Sequence, residues 1–404
     1  MAEKRTALHD IHLRSAVRMV KGGGDYMFPV SYTSPLEEHK NTRTNVGMQD
    51  LSSMGEVDIK GPGAERLLAR LMVAPVRNMH PGQVRYSTIV DEDGYIIDDI
   101  TCYKFNDEHF MIVTSSSTRK KTTDWIKDHA VGTSTYVTDL GGAVTLITVQ
   151  GPRSLEFLDT VTKGNDVLSQ RFFRFAHGNI NGTDMIMSRT GYTGELGMEL
   201  YVPTDEAGAT WEFLEKRGKK FNLMPYGASA MQSLRIEKAL PLAGPDIDGT
   251  QTPFHVHHLH KYIDFKKREF IGRDALLAWQ DRGLDYRWVG MTLKSDIPAS
   301  TGDPIYSIAH IKSFREKMFT GSEADTYFDR EQPGMMEIGR ITSSAKGHSV
   351  KKMLGLAYLN IGHSYEGAKV LVNAGGRAVV GTVTSIPFFD PQGARLRSRG
   401  PRNI

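Results

Sequence analysis

The sequence predicts an α+β protein in which two mixed lobes precede a C-terminal β domain. A strand, a glycine-containing turn and a helix follow one another in residues 56–72, and the same order returns in residues 144–161. Such an echo indicates two related α+β units. From Tyr286 onward the pattern changes to short strands separated by turns, which is typical of a separate, mostly antiparallel β domain.

Size and composition are sufficient for two or three domain cores, since the 404 residues are 39% hydrophobic. The 50 basic and 47 acidic residues leave a net charge of +3, so no global field for nucleic acid is expected. No run approaches the roughly 20 apolar residues of a membrane helix, and residues 1–18 lack the pattern of a signal peptide. We therefore expect a cytoplasmic protein with neither a nucleic-acid nor a membrane partner.

Several local elements are specified by their end residues. Residues 35–43 are predicted to form a helix, with Ser34 as N-cap and Glu37 in the capping-box position. Residues 84–90 and 95–105 flank a polar, glycine-ended link and are predicted to form a hairpin. Further helices are predicted at residues 64–72, 118–129, 154–161, 206–221, 227–239 and 271–279. The long polar piece 305–333 is predicted to be an insertion, and a basic tail carries Arg395, Arg397, Arg399 and Arg402.

A glycine-rich turn lies between predicted strands at residues 183–188 and 198–202. It places Tyr192, Glu195 and Glu199 within a short arc, which offers one aromatic face and two carboxylate acceptors. That set suits a flat, nitrogen-rich heterocycle. A polar hairpin with solvated glutamates is the alternative.

Asp98 and Asp99 occupy one predicted strand. Successive strand residues face opposite sides, so one carboxylate is expected to point into the protein or a cleft. An inward carboxylate needs a partner, which makes it a candidate for binding a cation or amine, or for proton handling. The alternative is a hairpin-end carboxylate that caps backbone amides.

Four histidines, His255, His257, His258 and His260, form a cluster. Imidazole is a common metal ligand, but no carboxylate or cysteine lies at tight ligand spacing, so no metal is predicted. A substrate-binding or proton-donating histidine and a surface cluster both stay open. The single cysteine, Cys102, excludes a disulfide framework and is predicted to be a buried, inert thiol.

Nucleotide and acyl-serine chemistry are not predicted. The sequence has no Gly-x-Gly-x-x-Gly after a strand, no phosphate loop and no Gly-x-Ser-x-Gly elbow.

Seven motifs occur in one order along nearly the whole chain, at residues 43–55, 94–100, 191–199, 233–237, 270–276, 337–343 and 386–391. Together they resemble the aminomethyltransferase (glycine-cleavage T-protein) family of tetrahydrofolate-binding proteins. The resemblance implies a three-domain ring of two α+β lobes, residues 1–140 and 141–285, and a C-terminal antiparallel β domain, residues 286–404, around a central folate channel.

The resemblance also implies tetrahydrofolate as cofactor and assigns residues to it. Asp99 matches the acidic position close to the reacting folate nitrogens and is the candidate catalytic residue. The implied cofactor-binding residues are Glu199, which would hold the pterin, and its neighbours Tyr86, Ser115, Tyr192 and Arg235.

Departures from the family pattern lie around the donor side more than the folate side. Ser53 replaces a histidine, Ser115 replaces an asparagine, the histidine cluster replaces a Glu-Ala-Gly-Leu-Gly-Trp segment, and residues 305–333 are extra. The resemblance is therefore closer to the family's demethylases.

The main hypothesis is thus a tetrahydrofolate-dependent demethylase that takes a methyl group from a small-molecule donor, for example a methoxylated aromatic acid. Asp99 would orient or deprotonate the folate amine. One of the four histidines of the cluster, or Tyr26 or Tyr32, would protonate the leaving group or bind a substrate carboxylate. A glycine-cleavage aminomethyltransferase with a lipoyl-protein partner is the alternative, and a non-catalytic folate-binding protein is a third.

Overall fold

The computed structural model describes residues 3–308 and 336–398, which fall into two compact units. The first unit comprises Met1–Met231, Lys261–Leu276 and Gln392–Ile404, and the second comprises Gln232–His260 and Leu277–Pro391. Most of the predicted insertion at residues 305–333, and Arg399 and Arg402 of the predicted basic tail, lie outside the described residues. The three predicted domain boundaries stay a prediction.

The described residues contain nine α-helices, and none of them is long and apolar enough to cross a membrane. Helix α2 begins as predicted, because the Ser34 hydroxyl accepts from the backbone N–H of Glu37 at 3.3 Å and donates to the Glu37 carboxylate at 3.0 Å. This cap satisfies an N–H group that has no partner within the helix. The helices are α1 (His9–Ser15), α2 (Pro35–Thr44), α3 (Ala64–Leu71), α4 (Arg119–Ala130), α5 (Ser154–Asp159), α6 (Ala207–Gly218), α7 (Ala228–Glu237), α8 (Arg273–Arg282) and α9 (Ala394–Arg397).

Two large sheets organise the first unit. Its strands are β1 (Arg18–Lys21), β2 (Met27–Ser31), β3 (Val46–Asp50), β4 (Gly55–Lys60), β5 (Gln83–Val90), β6 (Ile96–Asn106), β7 (His109–Thr114), β8 (Tyr136–Asp139), β9 (Val144–Gln150), β10 (Thr162–Lys163), β11 (Phe175–Ile180), β12 (Thr183–Ser188), β13 (Gly197–Pro203) and β14 (Leu223–Pro225). Sheet A has the order β5-β6-β7-β4-β8, and sheet B has the order β10-β11-β12-β13-β9-β3-β14. Strands β1 and β2 form a separate pair.

Each face of sheet A has its own core. Val57 of β4 packs on one face with residues of α3 and α4, among them Ile126. Val113 and Tyr103 point to the other face, where they pack with Tyr201 of sheet B. Because side chains alternate along a strand, this second face presents every other residue of sheet A toward sheet B.

The predicted internal echo is present in the fold. Strand β4 is followed by Gly61 and α3, and strand β9 is followed by Gly151 and α5. The φ angles of Gly61 and Gly151 are +120° and +126°. A Cβ atom at Gly61 would lie 2.4 Å from the Ser134 carbonyl oxygen, and one at Gly151 would lie 2.3 Å from that of Asn45. Only glycine fits such a turn, so both sheets carry the same strand, turn and helix.

The second unit contains a closed antiparallel barrel of six strands. They are β15 (Tyr286–Leu293), β16 (Pro304–Ser307), β17 (Glu337–Gly347), β18 (Lys352–Asn360), β19 (Lys369–Ala374) and β20 (Arg377–Thr384), in the order β15-β18-β17-β16-β19-β20. Inward-facing Met291, Ile305 and Val370 belong to its buried core. The predicted α+β fold class with a C-terminal antiparallel β domain is confirmed.

Candidate functional site

The two aspartates of β6 point to opposite faces of sheet A, as the alternation predicts. Asp98 is fully buried, and its Oδ2 accepts from the Ser115 N–H at 3.2 Å and the Thr122 hydroxyl at 2.9 Å. Burial, and then the neighbouring charge of Asp99, raise the pKa of Asp98. Asp99 is half-buried on the opposite face. Asp98 therefore ties α4 to the sheet, and Asp99 is the carboxylate that a ligand can reach.

Asp99 is held by two hydroxyl groups. The Tyr86 hydroxyl donates to Asp99 Oδ2 at 2.8 Å, and the Ser115 hydroxyl donates to Asp99 Oδ1 at 3.3 Å. The Tyr86 ring meets Tyr262 edge-on, with 5.0 Å between the ring centroids. Burial, the Asp99 charge and the nearby hydroxyls of Tyr262 and Tyr192 all raise the pKa of Tyr86. The structure thus brings together four predicted residues and one, Tyr262, that the sequence analysis missed.

The glycine-rich turn joins β12 to β13, as predicted, and Ser188 lies opposite Glu199 in their register. The Thr190 hydroxyl donates to the Glu199 carboxylate, and Tyr201 also bonds this carboxylate. The Tyr201 hydroxyl lies 2.7 Å from that of Tyr103 on sheet A. Burial raises the pKa of Glu199, against the two hydrogen bonds. Glu199 is a buried acceptor between the sheets, and its 8% exposure leaves it within reach of a ligand.

Glu195 has a different role from the one the turn suggested. Arg43 Nη1 donates to Glu195 Oε1 at 3.0 Å and to the Thr193 carbonyl oxygen at 2.8 Å. Arg395 Nε donates to both Glu195 carboxylate oxygens at 2.9 Å. Glu195 is therefore an ion-paired support that fixes the turn and α9. This corrects the expectation that both glutamates of the turn are free to accept from a heterocycle.

Arg235 is held by several partners of its own. It belongs to the second unit, where it is fully buried and donates to Asp246 Oδ2 at 2.6 Å, to the Ser343 hydroxyl at 2.5 Å and to the Leu240 carbonyl oxygen at 3.2 Å. These partners occupy the guanidinium within that unit. The implied place of Arg235 beside the cofactor stays a prediction.

The histidine cluster is divided by burial. His255 is 1% exposed, and its Nδ1 accepts from the Thr252 N–H at 3.1 Å. Burial lowers the pKa of His255 to about 4, which favours a neutral imidazole at pH 7, and its predicted substrate role stays a prediction. His258 and His260 are exposed, and His257 lies against His258 with 3.4 Å between ring centroids. Their substrate roles stay predictions. Within residues 3–308 and 336–398, no three His, Cys, Asp or Glu side chains are grouped to hold a metal ion.

The two N-terminal tyrosines also differ. The Tyr32 hydroxyl lies 2.8 Å from His12 Nδ1, and His12 Nε2 lies 3.0 Å from Asp50 Oδ2. This chain engages the Tyr32 hydroxyl, and its role at the donor stays a prediction. The Tyr26 hydroxyl instead accepts from Arg119 Nη1 at 3.4 Å. Cys102 is buried, as predicted, and burial raises the pKa of its thiol to about 12.

The side chains around Asp99 and Glu199 fit a flat heterocycle with ring N–H groups. Tyr86, Tyr192 and Tyr262 offer aromatic surface, and Glu199 offers a buried acceptor for such N–H groups. Asp99, steadied by two hydroxyls, is placed to accept a proton from an amine. The α+β sheets and the antiparallel barrel define the class of fold, and this set of side chains is compatible with a heterocyclic ligand.

Comparison with known proteins agrees with that class. The GCVT N-terminal domain matches residues 8–267, and the glycine cleavage T-protein C-terminal barrel domain matches residues 287–390. The chain therefore belongs to the aminomethyltransferase (glycine-cleavage T-protein) family, as the motifs predicted. Members of this family bind tetrahydrofolate, so the cofactor prediction is confirmed at the level of the family.

The similarity extends over nearly the whole chain. An aminomethyltransferase of Halothermothrix orenii is 32% identical over 386 residues, which cover 96% of this chain and 100% of the relative. One from Moorella thermoacetica is 31% identical over 386 residues, covering 96% and 98%. The crystal structure of glycine cleavage system aminomethyltransferase T from Bartonella henselae shares the fold, with a TM-score of 0.83 at 24% identity, covering 96% of this chain and 99% of that one.

Proposed function

We propose that this chain is a tetrahydrofolate-dependent one-carbon transferase whose proton acceptor is Asp99. The observation that carries the proposal is the Asp99 carboxylate, held at 2.8 Å by Tyr86 and at 3.3 Å by Ser115 on the sheet face opposite the buried Asp98. When bound, tetrahydrofolate supplies an amine nitrogen that accepts a one-carbon unit. Glu199 would hold the heterocycle through its N–H groups, and Tyr86, Tyr192 and Tyr262 would pack against it.

Fixed geometry lets Asp99 act. Its two hydroxyl partners orient the carboxylate, so little reorganisation is needed when a proton is taken. With the heterocycle bound, the tyrosine rings would shield the same space from water, which would strengthen each charge interaction there. Asp99 and its two hydroxyl partners would therefore position the amine and accept its proton.

The first candidate donor is an aminomethyl group carried by a lipoyl-protein partner. It is supported by full-length similarity to relatives that are named aminomethyltransferases.

A second candidate is a methyl donor, as in a demethylase. It is supported by Ser53, which stands where the family usually has histidine. Ser53 is buried, with its hydroxyl 2.7 Å from that of Ser116. A serine pair in place of an imidazole changes the donor side of the site and leaves Asp99 and Glu199 in place.

One assay separates these donors. Purified protein is incubated with tetrahydrofolate and either aminomethylated lipoyl protein or a panel of methoxylated aromatic acids, methyl sulfonium and methyl ammonium compounds, and the folate product is weighed by mass spectrometry. Methylene-tetrahydrofolate and ammonia from the lipoyl protein support the first donor. Methyl-tetrahydrofolate and a demethylated product support the second. A protein that binds tetrahydrofolate yet forms neither product with any donor contradicts the proposal and favours a non-catalytic binding protein.

A further inference from the structure

Glu56 of β4 shares a sheet face with the Asp99 site. Across sheet A, Tyr86 lies opposite Thr101, Thr101 opposite Val113, and Val113 opposite Glu56. Residues opposite one another in antiparallel strands point to the same face. Asp99 precedes Thr101 by two residues and therefore points to that face as well. With strands about 4.8 Å apart, Glu56 lies roughly 10 Å across the sheet from Thr101.

Glu56 is a buried carboxyl group without a partner. Its exposed fraction is 0%, and neither of its carboxyl oxygens has a hydrogen-bond partner among the described residues. An orphaned buried polar group costs free energy and calls for an explanation. Burial raises the pKa of Glu56 to about 8. At neutral pH the group is a carboxylic acid with one O–H to donate.

Charged groups from three neighbouring elements act on Glu56. Arg119, at the start of α4, lowers its pKa, whereas Asp139 of β8 and Glu199 of β13 raise it. The charge of Glu56 in turn raises the pKa of the Tyr201 hydroxyl. Glu56 lies on the face of sheet A that packs, through Val113 and Tyr103, against Tyr201 of sheet B.

Arg119 links this end of the space to the segments that differ from the family pattern. Its guanidinium donates to the Tyr26 hydroxyl and to the Met54 carbonyl oxygen, each at 3.4 Å, and forms an ion pair with Asp139 at 2.7 Å. Ser53 immediately precedes Met54. A donor molecule that entered here would meet Tyr26 and Arg119, and it would reach the Glu56 acid, which is fully buried, by displacing the side chains that cover it. Asp99 lies at the other end of the row.

We propose that Glu56 donates a proton to the leaving group of the one-carbon donor, an inference that rests on the proposed function. With a donor whose oxygen or sulfur leaves as an anion, the bond between the one-carbon unit and that heteroatom breaks, its electron pair stays on the heteroatom, and the heteroatom takes the Glu56 proton; a sulfonium donor leaves as a neutral sulfide and takes no proton. The acceptor amine, which forms the new bond to carbon, gives up one proton to Asp99. One proton is thus taken in and one given out for each bond exchanged, and Glu56 ends the step as a carboxylate.

This division of roles follows a general rule for paired carboxyl groups. Environments that differ make one group an acid and the other a base. Asp99 is half-buried and held by two hydroxyl donors that favour a carboxylate. Glu56 is fully buried, no side chain donates to it among the described residues, and burial outweighs the opposing effects of Arg119 and of its own backbone N–H. His255 and Tyr32, two of the proton donors expected from the sequence, are neutral or engaged elsewhere.

The test uses Glu56→Gln, which keeps the shape of the side chain but has no proton to give. With the donor that the product assay identifies, turnover is expected to fall by about 100-fold or more, while calorimetric affinity for tetrahydrofolate stays unchanged. Wild-type turnover is expected to decline as pH rises through the Glu56 pKa of about 8, and Glu56→Gln should lack that alkaline limb. Glu56→Asp, which restores an acid, should recover part of the rate. Glu108→Gln, at an exposed turn residue, is the matched control.

An infrared measurement provides a readout that does not depend on turnover. The buried Asp98 also contributes to the protonated-carboxyl absorption near pH 7. The difference spectrum between wild type and Glu56→Gln should therefore contain a protonated-carboxyl band that the Glu108→Gln difference spectrum lacks. If that band is absent, or if Glu56→Gln matches an active wild type in rate and pH profile, the assignment of Glu56 is overturned and the proposed function stands. If the wild type forms no folate product with any donor, both are overturned.

Discussion

Two buried glutamates on facing sheets of the first unit have opposite surroundings. Glu199 of sheet B accepts hydrogen bonds from Thr190 and Tyr201. Glu56 of sheet A is equally enclosed and has no hydrogen-bond partner in the described part of the chain. The same side chain is thus a paired acceptor in one place and an unpaired acid in the other. The difference separates a surface suited to binding, on sheet B, from a surface suited to proton transfer, on sheet A.

Asp99 lies on the sheet A surface proposed for proton transfer. Its replacement is expected to give the largest effect, a loss of turnover without a loss of binding. In Asp99→Asn the amide oxygen can still accept from Tyr86, so the site keeps its shape but loses its base. Turnover is expected to fall about a thousandfold, within the range for general bases, while tetrahydrofolate affinity measured by calorimetry changes little. Asp93→Asn, in the exposed turn of the same hairpin, should behave as wild type. Undiminished turnover in Asp99→Asn would remove Asp99 from the reaction.

Replacing Glu199 should mainly weaken the binding of tetrahydrofolate, in contrast to the replacement of Asp99. Replacing a buried, hydrogen-bonded acceptor by alanine costs roughly 1–3 kcal/mol, so Glu199→Ala is expected to weaken tetrahydrofolate binding by about 10- to 100-fold. Direct titration by calorimetry measures the loss, and Glu206→Ala, at an exposed residue just after β13, is the control. Glu199→Gln, which leaves no cavity, should bind tetrahydrofolate with an affinity between those of Glu199→Ala and the Glu206→Ala control. Wild-type affinity in a folded Glu199→Ala protein would show that the pterin is held elsewhere.

The sequence predicted the positions of Asp99 and Glu199 better than that of Glu56, for a physical reason. The turn between β12 and β13 and the hairpin of β5 and β6 are specified locally, by glycines and alternating residues. Asp99 and Glu199 sit at fixed places in those local patterns, and the family motifs include both. Their positions were therefore predictable from short stretches of chain.

Glu56 was missed because its neighbours suggest an exposed residue. Strand β4 alternates Glu56, Asp58 and Lys60 with Val57 and Ile59, a pattern typical of a sheet with one face in water. Sheet B covers the end of that polar face, and this cover comes from residues about 90 and 145 positions farther along the chain. No local pattern contains that information. Arg395 was similarly expected in a loose tail and instead pairs with Glu195.

The smallest expected effect, a change in stability with pH, sharpens the contrast between the two glutamates. The folded-state pKa of Glu56 is about 8, raised from 4.5 by burial. The protein therefore binds this proton more tightly when folded, and the resulting stability is fully present below pH 4.5 and lost as pH rises through about 8. Glutamine does not titrate, so the unfolding midpoint of Glu56→Gln minus that of the wild type should grow by a few degrees from pH 5 to pH 9. Circular dichroism melts at each pH measure this difference, with Glu108→Gln expected to show none. Other titrating groups cancel in the subtraction, so a difference that stays constant with pH would mean that Glu56 is already ionised or paired in the folded protein, like a surface carboxylate.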